Sequence, residues 1–272
     1  MKISQVAKQI LLGEKLEDKL ISTDEIVFDS LVLDDLPSSP ARSLKLQLSE
    51  KKNKFPGKDK LKTELARGKA LHFFANHELL AIEIMAYVLL KFPFKTREER
   101  LLQKGIYSAL QDEQKHLNLY IKRMQELGVN FGDFPLNSFF WSYAPQFKDL
   151  SEYLAVMSLT FEAANLDFAD YYQKLFLEYD DYKTANIMSV VLHDEIAHVA
   201  LGSKYLSMWK QDKRLWDYYL ESLPWPLTPM RSKAMVFNEC ARTKAGLPKD
   251  YIETVRSFDD GYAPTKRKEW KN

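Results

Sequence analysis

The chain has 272 residues, 39 basic against 38 acidic side chains, and a single cysteine, Cys240. That length buries a sizeable core. Balanced charge excludes a global field for nucleic acid or an anionic membrane, and a lone cysteine excludes an internal disulfide framework and suits a reducing, cytoplasmic setting. Nine Gly and 11 Pro among Leu/Ala/Lys/Glu/Met-rich stretches point to an all-α fold. Charges interrupt every apolar run before the roughly 20 residues that cross a bilayer, so no membrane span is expected. The start, Met1 to Lys8, lacks the long apolar core of a signal peptide.

Residues 1 to about 20 read as an amphipathic helix, with Ile3, Val6, Ala7, Ile10 and Leu11 at helical spacing. Pro37-Ser38-Ser39-Pro40 marks a turn or linker, and Lys51 to Lys62 is a basic run whose plain reading is a solvated segment rather than a nucleic-acid contact. A first long helix is expected over about 60–91, ending near Phe92-Pro93. A second is expected over about 96–127, opened by the capping box Thr96/Glu99 and closed by Gly128. Residues 129–149 break the pattern, yet Phe131, Phe134, Phe139, Phe140 and Trp141 make them too aromatic to stay in water. A third helix is expected over about 150–178 and a fourth over about 181–210. Shorter helices follow near 211–222 and 230–245, then a last short one, with Pro224 to Pro229 as a turn between the first two. The expected organisation is an extension over 1–63, a four-helix bundle over 64–210, and a helical extension over 211–272 packed on the bundle.

Two segments carry the chemistry: Asp112-Glu113-Gln114-Lys115-His116 and Asp194-Glu195-Ile196-Ala197-His198. Each follows a glutamate on an apolar stretch, Glu78 lying 35 residues before Glu113 and Glu162 lying 33 before Glu195. In a helix, positions i and i+3 share a face, so Glu113 with His116, and Glu195 with His198, can grip one ion. The neighbours on those faces are apolar, Ile106, Leu110 and Tyr120 around the first and Val191, Val199 and Leu206 around the second. An unpaired buried carboxylate costs several kcal/mol or protonates to escape the penalty. Four converging carboxylates call for two divalent cations, and mixed carboxylate and imidazole donors suit Fe or Mn, with Zn less specific. A carboxylate followed by Glu-x-x-His, given twice, is the ligand set of a dinuclear site in a four-helix bundle.

Glu83, five residues after Glu78, is open to three roles: first-helix ligand, outer partner of the site, or buried salt-bridge acid. His77 reads as a core or interface histidine, with an outer role in the site as its alternative. Asp112 and Asp194 are either helix-surface charges or acids that orient a ligand histidine. Tyr120 and Tyr205 lie along the ligand faces, where core packing competes with a relay role. The aromatic crossover and the turn at 224–229 read first as packing over the bundle, with walling a pocket as the alternative; Arg231 and Arg242 are open equally to meeting an anionic substrate and to helix capping or surface pairing.

These phrases resemble the ferritin-like di-iron carboxylate superfamily, over about residues 64–210. Glu78-Leu79-Leu80-Ala81 matches its first helix, Glu113/His116 and Glu195/His198 its Glu-x-x-His helices, and Glu162 its third. More narrowly, His77 to Glu83, Phe131 to Pro135, Glu162 to Asp167 and Asp194 to His198 resemble an uncharacterised bacterial ferritin-like family, domain of unknown function number 455. The resemblance implies a four-helix bundle with one long crossover between helices two and three and two metal ions, iron first, with manganese or a mixed Mn/Fe pair as alternatives. It implies an O2-dependent oxidoreductase of hydroxylase type, using a small-molecule substrate and an electron donor, as a monomer or small homo-oligomer. The competing expectation is a non-catalytic ferritin-like protein for iron storage or peroxide detoxification.

Overall fold

The computed structural model describes residues 1–23, 25–51 and 53–261. Lys52 of the basic run and residues 262–272 of the expected C-terminal extension lie outside the described residues. Among the described residues the chain is all-helical, without a strand. It divides into two compact units, Met1–Gln146 and Phe147–Asn272. The division falls in the aromatic crossover, so each unit pairs one terminal extension with one long helical hairpin.

The N-terminal unit begins with α1 (Ile3–Leu12) and α2 (Leu16–Lys19), where a single helix was expected. The break is at Gly13, where a Cβ would lie 2.4 Å from that of Asp18; only the missing side chain lets the chain fold back so tightly. The hairpin is α3 (Glu64–Lys91) and α4 (Arg97–Glu126). α3 is buried on every side from Glu78 to Leu90, as an all-round apolar helix must be. It is long and apolar enough to cross a membrane, and 83% of its most apolar stretch is buried inside the protein. Thr63 caps α3 through the Ala66 amide. α4 starts at the expected capping box: Thr96 Oγ1 accepts from the Glu99 amide (3.1 Å), and Glu99 Oε2 accepts from the Thr96 amide (2.8 Å). It ends at Gly128, whose φ of 75° is left-handed, with the Val129 amide reaching back to the Met124 carbonyl.

The crossover packs along α3. His72 Nε2 accepts from the Gly132 amide (3.0 Å), between the rings of Phe131 and Phe134. Trp141 stands edge-on to Tyr87 and donates to the Ser38 carbonyl (2.7 Å). Within this unit these aromatics are therefore core.

The C-terminal unit departs from expectation in its first long helix. Residues 150–178 form α5 (Leu150–Val156), a π-helical turn (Met157–Glu162) and α6 (Ala163–Glu178). Thr160 sits in the π turn, its hydroxyl donating to the Ala155 carbonyl five residues back (2.8 Å) and bonding Tyr219 (2.8 Å). The partner helix is α7 (Tyr182–Trp209), capped by Asp181 on the Thr184 amide. A Cβ at Gly202 of α7 would lie 2.4 Å from that of Ser158, so the π turn approaches α7 as closely as a glycine permits. Then come α8 (Leu215–Glu221), α9 (Glu239–Lys244) and α10 (Lys249–Ser257). The helix expected over 230–245 is only the single 3-10 turn Pro229–Ser232 and α9.

A buried carboxylate fastens each extension. Glu83 takes two bonds from Arg42 (2.5 and 3.0 Å) and one ion pair from Lys19 (3.2 Å). Asp167 takes two from Arg242 (2.5 and 3.0 Å), and the amides of Ala234 and Asn238. Arg242 was an anion-binding candidate; its guanidinium is instead committed to Asp167 and to the carbonyls of Ala163, Ser232 and Asn238. Arg242→Met would leave Asp167 charged and under-compensated in the core. Urea denaturation should show a loss of about 3–5 kcal/mol; a loss below about 1 kcal/mol would contradict this account of the fastening.

Candidate metal centre

In the N-terminal unit, α3 brings Glu78 inward and α4 brings Glu113 and His116, none of them more than 4% exposed. One turn separates Glu113 from His116, and Nδ1 of His116 lies 3.3 Å from Glu113 Oε2. Glu78, Glu113 and His116 each offer a ligand atom, and these atoms lie within 4.8 Å of one another. Two donors about 2.1 Å from a shared ion are at most about 4.2 Å apart. The set therefore matches a metal's grip with little adjustment.

The C-terminal unit repeats the arrangement. Glu162 closes the π turn, and α7 carries Glu195 and His198 one turn apart, with His198 Nδ1 3.4 Å from Glu195 Oε2. Ligand atoms of Glu162 and His198 also lie within 4.8 Å. All three residues are buried. Asn165 donates to Glu195 Oε1 (3.0 Å) and so fixes how that carboxylate is turned. Sequence reasoning passed over Asn165; the available signal was its place three residues after Glu162, on the same helix face.

Both groups are buried carboxylate–imidazole sets, and such groups can bind metal ions. The donor chemistry fits a divalent transition metal: oxygen and imidazole ligands, no thiolate, and carboxylate charge to balance the ion.

The remaining sequence candidates are placed as follows. Glu83 is the buried acid of the Lys19/Arg42 ion pairs, so of its three open roles the geometry gives it this one. His77 lies between Phe73 and Phe140, each ring centroid 4.5 Å away, and burial holds its pKa down to about 4. Asp112 pairs with Lys115 (2.8 Å) on the outer side of α4. Asp194 is half-buried on α7. Tyr120 is buried with its ring 5.8 Å from Phe74, and Tyr205 is buried beside Trp209.

A family model described as "Protein of unknown function (DUF455)" matches residues 4–253. The chain belongs to that family. Over 150 residues it is 27% identical to an "Uncharacterized protein" of Haemophilus influenzae, an alignment covering 53% of this chain and 51% of that protein. The chain thus spans about half the length of the curated relative it matches. No solved structure matches it. The family match takes in most of both terminal extensions, including Lys19, Arg42 and Arg242, which pair with the buried carboxylates Glu83 of α3 and Asp167 of α6.

His72 supplies a pH test of this architecture. Burial lowers its pKa to about 4, and as a neutral ring it accepts from Gly132. The unfolded chain protonates first, near pH 6.5, so the contribution of His72 is intact above pH 6.5 and is lost as pH falls towards 4. In urea titrations the stability advantage of wild type over His72→Gln should shrink steadily between those limits. An advantage that stays constant would show that His72 does not titrate as a buried neutral group.

Proposed function

We propose that the chain is a dinuclear non-haem metal carboxylate protein of ferritin-like type. α3, α4, the helical run 150–178 and α7 would serve as the four helices, and Glu78, Glu113, His116, Glu162, Glu195 and His198 as the ligands of two ions, iron first. The observation that carries this reading is the buried Glu78/Glu113/His116 set, with its counterpart Glu162/Glu195/His198 at the same motif positions. Two iron ions bound there would supply electrons for the activation of O2, with an external donor restoring them.

The protein's own contributions follow from its residues. Four carboxylates offset the charge of two divalent ions. The one-turn spacing of each Glu-x-x-His presents both donors from one rigid helix, so little ordering entropy is lost on binding. Asn165 restrains Glu195, and the apolar lining of α3 and of the π turn keeps bulk water away, which strengthens every charge interaction inside. We assign the reaction class as O2-dependent oxidation of hydroxylase type, acting on a small molecule and using an electron donor.

The test begins with metal content per chain, by mass spectrometry, on protein from iron-supplemented cells. About two iron atoms are expected, falling below one in both Glu113→Ala and Glu195→Ala. Anaerobically reduced protein should then consume O2 in proportion to its bound iron. Retention of metal by the double variant would remove these residues from the site. Metal binding with assembly into 12 or 24 subunits by light scattering would move the function to storage.

A further inference from the structure

Residues 45–69 hold nine basic and three acidic side chains, six net positive charges in a chain whose total is +1. The other residues therefore sum to −5, and the positive charge is concentrated here. From residue 53 onward the segment is anchored on the protein as a ledge. Phe55 packs on the rings of Phe73 and Phe74 (5.3 and 5.4 Å). Leu61 is buried, and the inward-turned guanidinium of Arg67 binds the carbonyls of Leu61 (3.3 Å) and Lys62 (3.1 Å). Anchored this way, Lys54, Lys58, Lys60 and Lys62 all project into solvent, as does Lys51. Near the start of α3 the rim continues: Lys69 lies over Phe134 (4.9 Å), and the next residue back, Asp133, faces Lys45 (3.8 Å).

Two leucines stand out on the same rim, Leu44 at 87% and Leu65 at 63% exposed. Leu44 precedes Lys45, and Leu65 is three residues beyond Lys62 in the first turn of α3. Burying neither in its own fold, the protein leaves two large aliphatic groups in water among lysines. A nucleic acid would reward the lysines but not the leucines, and a single strand would also call for an aromatic stacking platform. Phe55, the aromatic side chain within the ledge, is turned into the protein against α3. Lysines flanking protruding aliphatic groups match a surface that is anionic outside and hydrocarbon just beneath.

We propose that the rim formed by residues 44–51 and 53–69 is a docking surface for an anionic lipid bilayer, the lysines meeting the headgroups and Leu44 and Leu65 entering the acyl boundary. The attachment is reversible and peripheral, weakens with salt, and is independent of the metal centre.

The experiment is flotation of the full chain with vesicles of phosphatidylcholine alone, or with about a third phosphatidylglycerol. Wild type should float with the anionic vesicles and not with the neutral ones, and raising salt should release it. Lys54→Gln/Lys60→Gln/Lys62→Gln should weaken binding about a hundredfold, each lysine near the surface being worth about fivefold. Leu44→Gln/Leu65→Gln should weaken it severalfold while keeping the salt dependence. Unchanged helical circular dichroism in both variants, each altered only at exposed side chains, would assign the losses to docking. No flotation with anionic vesicles, equal flotation with neutral ones, or full binding by the lysine variant would overturn the proposal. So would binding to a fluorescent oligonucleotide that lipid vesicles do not compete away.

Discussion

A carboxylate taken out of water must find positive charge or lose its own, and this requirement shapes both halves of the chain. α3 carries two buried acids five residues apart, Glu78 and Glu83, and the run 150–178 carries two more at the same spacing, Glu162 and Asp167. Five α-helical steps turn a side chain about 140° from its starting direction, so the two acids on α3 face different neighbours. The second acid of each pair meets cations from a terminal extension, Lys19 and Arg42 in one unit and Arg242 in the other. The first acid of each pair lies instead beside the histidine of a Glu-x-x-His motif. Buried ion pairs contribute little net stability relative to apolar packing, but they are unforgiving of rotation. We read Glu83 and Asp167 as the devices that set the angle at which Glu78 and Glu162 face inward.

Backbone detail completes the aim in the C-terminal unit. A π turn inserts extra rotation between α5 and α6, and Glu162 is its last residue. Such turns carry poorer hydrogen bonding and persist where something else holds them. Here Thr160 satisfies the Ala155 carbonyl with its own hydroxyl, and Gly202 lets α7 press against Ser158. The same contact fixes the approach of the helix that carries Glu195 and His198. The N-terminal unit has no counterpart of this turn in α3, which runs unbroken from Glu64 to Lys91. The repeat in ligand spacing is therefore realised on two different backbones.

What was legible in the sequence was whatever depends on local periodicity and capping. The Thr96/Glu99 box, the left-handed Gly128 and the apolar faces locate α4 to within a residue or so, because the signals lie within one or two turns of what they specify. The two Glu-x-x-His motifs were readable for the same reason. The π turn was not: Met157-Ser158-Leu159-Thr160-Phe161-Glu162 is as apolar as an α-helical core stretch, and its register is set by Tyr219 and Gly202, 59 and 44 residues distant. The role of Glu83 was equally hidden, since its partners Lys19 and Arg42 come from 64 and 41 positions earlier in the chain. Asn165 could have been found from its spacing to Glu162, but an amide among carboxylates carries no charge signal.

The extensions are consequently part of the mechanism of folding rather than attachments to a bundle. Removing residues 1–63 would strip Glu83 of both cations and leave a bare charge in the middle of α3, one and a half turns from Glu78. Removing the chain after about residue 210 would do the same to Asp167 behind Glu162. In each case the penalty falls on the helix that presents a ligand candidate, so loss of an extension and misplacement of that glutamate are one event. This dependence gives a physical reason for a family match that runs from residue 4 to residue 253 instead of stopping at the long helices. A chain that orients Glu78 and Glu162 in this way needs the distant arginines and lysine that neutralise their neighbours.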